Sequence, residues 1–221
     1  MNFIIGIDIG TTHVKAVVAG PDGRTVFETK KGYPTSNPSP GYHEQDAEEI
    51  FQAVLGVLKP AVASVEKKEN IACVSFSAAM HSLLAVDANG VPLMPMMTWA
   101  DTRSNAYAIL LKSLPVGQTI YRQTGTPIHP MSPLCKIRWL KEEKPDLFAR
   151  SARFISGKEY IFYRLFGEWI VDYSIASATG LFDIHHLTWC RESLDFAGIT
   201  EENLSRPCST LFALNGLKKE I

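Results

Sequence analysis

The chain has little of what marks a protein for a special environment. Cysteine is sparse: four in 221 residues, at Cys73, Cys135, Cys190 and Cys208. None stand in CxxC spacing, so neither a zinc site nor a redox pair is signalled, and scattered cysteines suit a reducing compartment. There is no excess of either charge. Twenty-two basic residues stand against 23 acidic ones, for a net charge of −1, which argues against a nucleic-acid partner. No apolar run approaches the roughly 20 residues of a membrane span. The opening MNFIIGIDIG lacks a basic stretch and meets Asp8 after a few apolar residues, so it does not read as a signal peptide. These absences lead us to expect a soluble cytoplasmic protein bound neither to nucleic acid nor to membrane. Two nucleotide signatures are missing as well: no GxxxxGK[ST] loop and no GxGxxG fingerprint. No internal repeat or low-complexity tract is visible.

What is present is ordinary globular composition, 46% hydrophobic and 20% charged. The length suits one large core or two small ones. Residues 3–9 (FIIGIDI) and 14–19 (VKAVVA) read as strands, and a third follows the Pro21-Asp22-Gly23-Arg24 turn over 25–30. Their short connections require antiparallel pairing. The Pro- and Ser-rich segment 33–41 reads as a loop. Residues 46–67 carry helical periodicity behind Asp46, a plausible N-cap. A further strand is expected over 71–77. A hairpin should join 83–86 to 91–93 through Asp87-Ala88-Asn89-Gly90. Beyond 101, helices are expected near 102–113, 132–143 and 157–166. An extended, turn-rich stretch should fill 170–185, with two short helices in 189–204. Strands followed by helices indicate a mixed sheet with helical layers.

The turn between the first two strands carries candidate chemistry. Asp8-Ile9-Gly10-Thr11-Thr12 gathers backbone N–H groups, two hydroxyls and a carboxylate, with Lys15 nearby. Gly10 would let a backbone approach a phosphate without a Cβ in the way. Asp8 could hold Mg²⁺ directly or through water. A hairpin turn that merely contains Gly and Thr is the plainer alternative.

GIDIGTTHVKAVV resembles the first phosphate segment of the FGGY carbohydrate kinases, and further blocks of that family recur in order. These are PSPGYHEQD, SFSAAMHSLLAVD, MMTWADTRS, YRQTGTPIHPMSPLCKIRWL and SGKEYIFYRLFGEWIVDYSIASATGLFDI. Within the family, AMHSLLAVD, TWADTRS and TGTPIHPMSP resemble gluconate kinases more than xylulose or glycerol kinases. Glycerol kinases carry an Arg-Glu pair where Met80-His81 stands here. Xylulose kinases share Met-His but usually after a Gln, where this chain has Ala79.

The resemblance implies an α/β fold, ribonuclease-H-like, of the actin/hexokinase/Hsp70 superfamily. It implies a mixed five-stranded sheet with helices on both faces, and a 78–185 elaboration that builds the sugar site. It implies transfer of the γ-phosphoryl of ATP to a sugar hydroxyl with Mg²⁺, a chemistry of positioning and charge neutralisation. By the same resemblance Asp8 is the Mg²⁺/phosphate carboxylate, and Gly10, Thr11, Thr12 and Lys15 lie where nucleotide phosphates are contacted. Met80 and His81 match the substrate pair, and Trp99 an aromatic wall. Asp101 and Arg103 could hydrogen-bond hydroxyls or a carboxylate.

Each of these residues has a plainer role open to it. Trp99 could be core, His81 a satisfied turn residue, and Arg103 one half of a structural ion pair. His129, Lys136 and Asp172 are expected in packing or scaffold roles, and His185-His186 in a solvated turn. A gluconate carboxylate calls for a cation or several N–H donors, with Arg103 and His81 as candidates.

The family's catalytic base is an aspartate in a Gly-rich segment of a second domain, and no such segment follows Ser205. The chain is therefore expected to be the substrate-binding half, working with a C-terminal, ATP-binding kinase domain and nearly inactive alone. Xylulose or another pentulose is the runner-up substrate. A non-catalytic sugar-binding module is the competing class. A domain stripped of its partner could also expose an apolar wall and form a homo-oligomer.

Overall fold

The computed structural model describes residues 2–218, and the chain divides into two units. The first comprises residues up to 35 together with 45–79; the second comprises 36–44 and everything from Met80 onward.

In the first unit, β1 (Phe3–Ile9), β2 (His13–Ala19) and β3 (Thr25–Gly32) form an antiparallel meander. The two-residue β4 (Glu44–Gln45) stands where the chain re-enters this unit. Then come α1 (Ala47–Ala63) and β5 (Ile71–Ala78), which pairs parallel to β1. The sheet order is β3-β2-β1-β5. A parallel return needs a long crossover, and α1 is that crossover. The mixed sheet with its first three strands antiparallel is thus as the short connections required. It has four strands among the described residues, where the family resemblance implied five: the chain after β5 passes into the second unit. Among the described residues of the first unit, α1 is the one α-helix, and it packs on β1, β2 and β3.

The alternation along the strands decides which side chains face the helix. Ile5, Ile7, Ile9, Val14, Ala16 and Val18 are buried. The intervening Ile4, Asp8, His13 and Lys15 are exposed. This is the period-two rule of a half-buried sheet, and it places Asp8 outside the core. Asp46 caps α1 as expected, its carboxylate accepting from the Glu48 and Glu49 amides. The helix stops short of residue 67. Lys68 Nζ donates to the carbonyls of Val62 (2.7 Å) and Ala63 (3.3 Å) and satisfies its last turn.

In the second unit, β6 (Leu84–Val86) and β7 (Met96–Met97) are followed by α2 (Asn105–Ser113), α3 (Pro115–Thr124), α4 (Pro133–Glu143) and α5 (Pro145–Arg150). Next come β8 (Arg153–Ile155), α6 (Gly157–Phe166), β9 (Ile170–Asp172) and α7 (Tyr173–Ser177). The unit closes with β10 (Phe182–Asp183), β11 (Thr188–Trp189), α8 (Arg191–Ala197) and β12 (Arg206–Cys208). The turn at 87–90 forms as expected, with Asp87 Oδ1 accepting from the Asn89 and Val91 amides.

Three helices escaped the sequence reading. α3 opens with Pro115 at its first turn and carries Gly117, which lowers its apparent helicity. That glycine is there for space: a Cβ would sit 2.2 Å from the Leu111 carbonyl oxygen. α5 and α7 are six and five residues long, too short for a periodic pattern to show. The segment expected as extended over 170–185 therefore contains a helical turn, capped by Asp172.

The core of the first unit makes a direct prediction. Ile5 is fully buried, so Ile5→Ala is expected to cost about 2–5 kcal/mol, read as a lowered urea midpoint with an unchanged slope.

Candidate functional site

The structure places the sequence-predicted residues in two groups, one on each unit. On the first unit, Asp8 is the last residue but one of β1, and Gly10, Thr11 and Thr12 form the turn into β2. The turn is closed by the Gly10 amide donating to the His13 carbonyl at 3.1 Å. A Cβ on residue 10 would lie 3.1 Å from that same carbonyl oxygen, so the glycine already has an intramolecular reason to be there. Asp8 is exposed, and its Oδ1 accepts from Ser77 Oγ at 2.6 Å, which orients the carboxylate. Thr12 Oγ1 bonds His13 Nδ1 at 2.8 Å. Lys15 sits opposite Asp8 in the β1–β2 register, and its Nζ lies 3.5 Å from Glu28 on β3. It is a surface cation held sideways by a weak pair.

Three supporting residues were not singled out from the sequence. Gln45, 4% exposed, donates to the Thr11 carbonyl at 2.5 Å and to Thr35 Oγ1 at 3.0 Å. Tyr33 donates its hydroxyl to the Gly10 carbonyl. Burial, with the Asp8 charge adding, pushes that phenol up to about 12. Ser77 completes the set. With two of its carbonyls engaged this way, the turn keeps a defined shape. Gln45 lies inside the PSPGYHEQD block, which was the one signal for it.

On the second unit, the 80–81 and 98–103 segments meet. The Leu83 and Met97 backbones exchange hydrogen bonds at 2.9 and 2.8 Å. Lys136, on α4, donates to the carbonyls of both His81 and Thr98 at 2.7 Å each. Met80 and Trp99, large apolar side chains, are 46% and 51% exposed. The exposure of Trp99 removes the core-residue alternative.

His81 has φ of 65°, a left-handed conformation that costs a non-glycine residue about 1–2 kcal/mol. Its Nδ1 lies 2.7 Å from the Ala178 carbonyl. A carbonyl only accepts, so Nδ1 carries the hydrogen and Nε2 is left as an acceptor when the ring is neutral. Burial pushes the imidazole below its usual range, against the pull of the Ala178 bond and aided by the Lys136 and His129 charges. The ring is therefore neutral at pH 7. That makes it a poorer cation for a carboxylate than charge logic suggested.

Arg103 is likewise committed elsewhere. Its side chain is 6% exposed and reaches Asp101 and Glu44, each at 2.6 Å. The guanidinium stacks 3.6 Å from the centre of the Tyr42 ring. Asp101, fully buried, also accepts from the His43 amide at 2.9 Å. This is the structural ion pair that was the alternative reading of Arg103.

The remaining polar residues resolve into local roles. Asp172 accepts from Lys158 at 2.7 Å and caps α7. His129 Nδ1 accepts from the Met131 amide at 3.1 Å. His185 and His186 are exposed beside Asp183, which accepts from both their amides. Among the described residues no group of three or more His, Cys, Asp or Glu is placed to hold a metal ion.

The structure thus shows a mixed α/β unit bearing a carboxylate-and-hydroxyl turn, and a unit bearing a Met-His pair and an exposed tryptophan, the features that the family resemblance implied. The chain belongs to the FGGY family of carbohydrate kinases: its N-terminal domain matches residues 3–216. The gluconokinase of Bacillus subtilis (strain 168) is 43% identical over 213 residues, covering 96% of this chain and 41% of that protein. The crystal structure of gluconate kinase from Lactobacillus acidophilus aligns with a TM-score of 0.94 at 35% identity, covering 99% of this chain and 44% of that one. The ligand-bound xylulose kinase from Lactobacillus acidophilus gives 0.95 at 35% identity, covering 100% and 44%. The chain thus spans less than half the length of the proteins it matches. Among the described residues, no helix is long and apolar enough to cross a membrane.

Two predictions come from the buried cations. Arg103→Ala would strand two carboxylates, one fully buried, and is expected to cost about 3–5 kcal/mol in denaturant unfolding. Burial pushes Lys136 down to about 7, against the pull of Asp101 and aided by repulsion from Arg103; Cys135 is the other neighbour that opposes the fall. The unfolded chain keeps that proton up to about pH 10.4. Above pH 7 the unfolded state therefore binds more protons, and stability rises with pH through this window. Urea unfolding from pH 7 to 9 should show the parent gaining on Lys136→Met, by at most about 1.4 kcal/mol per pH unit.

Proposed function

We propose that this chain is the substrate-binding part of an ATP-dependent kinase that phosphorylates gluconate. The observation that carries the reading is the second unit's pairing of a neutral, oriented His81 with the exposed Met80 and Trp99, in a chain 43% identical to a gluconokinase. An exposed indole suits the C–H face of a polyhydroxylated chain. His81 Nε2 supplies an acceptor for a hydroxyl.

On the first unit, Asp8 is the residue that would hold Mg²⁺, which neutralises phosphate charge when bound. The Gly10–Thr12 turn offers amides and hydroxyls to phosphate oxygens, and Lys15 a nearby positive charge. In this reading Asp101 and Arg103 brace the sugar-binding unit from within and leave ligand contact to their neighbours. We take the general base and the adenine site to come from the part of the family's length that this chain does not span. The carboxylate of gluconate is then met by N–H donors, since Arg103 and His81 do not offer it a cation.

That last feature also favours a second reading, in which the substrate is a neutral ketose such as xylulose; the xylulose kinase alignment supports it. Saturation-transfer NMR of the chain with gluconate, xylulose and glycerol in one mixture decides between them. Selective transfer to gluconate, lost in Trp99→Ala, is the expected result. Transfer to xylulose instead would replace the substrate, and transfer to none would refute sugar binding by this part alone.

A further inference from the structure

We infer that Lys136 is a positioning residue of the second unit's site, holding His81 and the backbone at Thr98–Trp99 in their working arrangement. The inference rests on reading that unit as the sugar-binding part.

Lys136 is 0% exposed. Its hydrogen bonds go to two backbone carbonyls, His81 and Thr98, at 2.7 Å each. A neutral amine has two N–H donors, so both carbonyls stay satisfied whichever protonation state the lysine takes. A buried ammonium without a bonded carboxylate opposes folding, but an apolar side chain here would leave both carbonyls without this donor. What the lysine supplies is geometry. One carbonyl belongs to the residue held at φ of 65°, and the other immediately precedes the exposed Trp99.

The helix that carries Lys136 also anchors the other end of His81. Ser132 Oγ and the Leu134 amide both donate to the Thr179 carbonyl, at 2.7 and 3.0 Å. Thr179 adjoins Ala178, whose carbonyl accepts from the His81 ring. The start of α4 therefore controls His81 twice: the backbone through Lys136, and the imidazole through residues 178–179. Strained backbone persists only where its surroundings over-determine it, and two independent anchors from one helix do that here.

The test compares the chain with Lys136→Met, which keeps length and bulk but removes both donors, and with Lys136→Arg, which restores donors. The readouts are the His81 imidazole signals in long-range ¹H–¹⁵N spectra and saturation transfer to gluconate. In Lys136→Met we expect the His81 Nδ1–H pattern to be lost while the Trp169 and Trp189 indole signals stay in place. Gluconate binding should weaken at least tenfold, and Lys136→Arg should recover part of both. A folded Lys136→Met with an unchanged His81 pattern overturns the inference. So does a moved His81 with undiminished gluconate binding, or the failure of both variants to fold, which would make Lys136 a core residue only. If the parent binds no gluconate, the functional reading fails on its own, and the His81 spectrum still judges the positioning role.

Discussion

The fully buried Asp101 carboxylate organises the second unit. It accepts from the His43 amide and from both the backbone and the guanidinium of Arg103, and Arg103 passes the connection on to Glu44. Arg103 lies over Tyr42 and 5.2 Å from the centre of the Trp139 ring on α4. A desolvated carboxylate must be met by several donors or it opposes folding. Meeting it draws residues 41–44 onto the turn that bears Trp99. Two backbone bonds, Thr98 to His43 at 2.9 Å and Thr102 to Gly41 at 2.9 Å, then fix the register. This is why residues 36–44, most of the Pro-rich loop among them, belong to the second unit although they lie in sequence between two stretches of the first.

The two buried cations work in different ways. Arg103 is paired with carboxylates and stacked on an aromatic ring, and its planar fork suits that. Lys136 is held by neutral carbonyls, and its readiness to lose a proton suits burial without an acid partner. Between them they use up the second unit's most conspicuous positive charge inside the structure. The groups left at the surface of the proposed site are then a neutral imidazole and two large apolar side chains. This shapes the chemistry the unit can offer: an acceptor for a hydroxyl and an apolar platform.

The first unit divides its labour by alternation. Ile5, Ile7 and Ile9 build the core against α1, while the residue between the last two, Asp8, faces out at the end of β1. Gln45, Tyr33 and Ser77 then hold the turn and the carboxylate from three separate elements. Under the proposed phosphate role, such backing keeps the donors in place before the charge arrives.

Much of this was legible in the residues themselves. Apolar runs gave the first two strands, turn chemistry and the run after it the third, short connections their antiparallel pairing, and Asp46 the start of α1. The ordered family blocks gave the fold class and the candidates Met80, His81 and Trp99. Local pattern carries such information because it reflects backbone geometry and neighbour spacing. Only the tertiary structure decided that Arg103 braces Glu44 and Asp101 and that Lys136 spans His81 and Thr98. It also decided that His81 is a neutral ring with a strained backbone, and that Gln45 holds Thr11. Apart from the Asp101–Arg103 pair, two positions apart, these contacts join residues 34 to 97 positions apart, and a charged residue reads the same in sequence whether it faces a ligand or a buried partner.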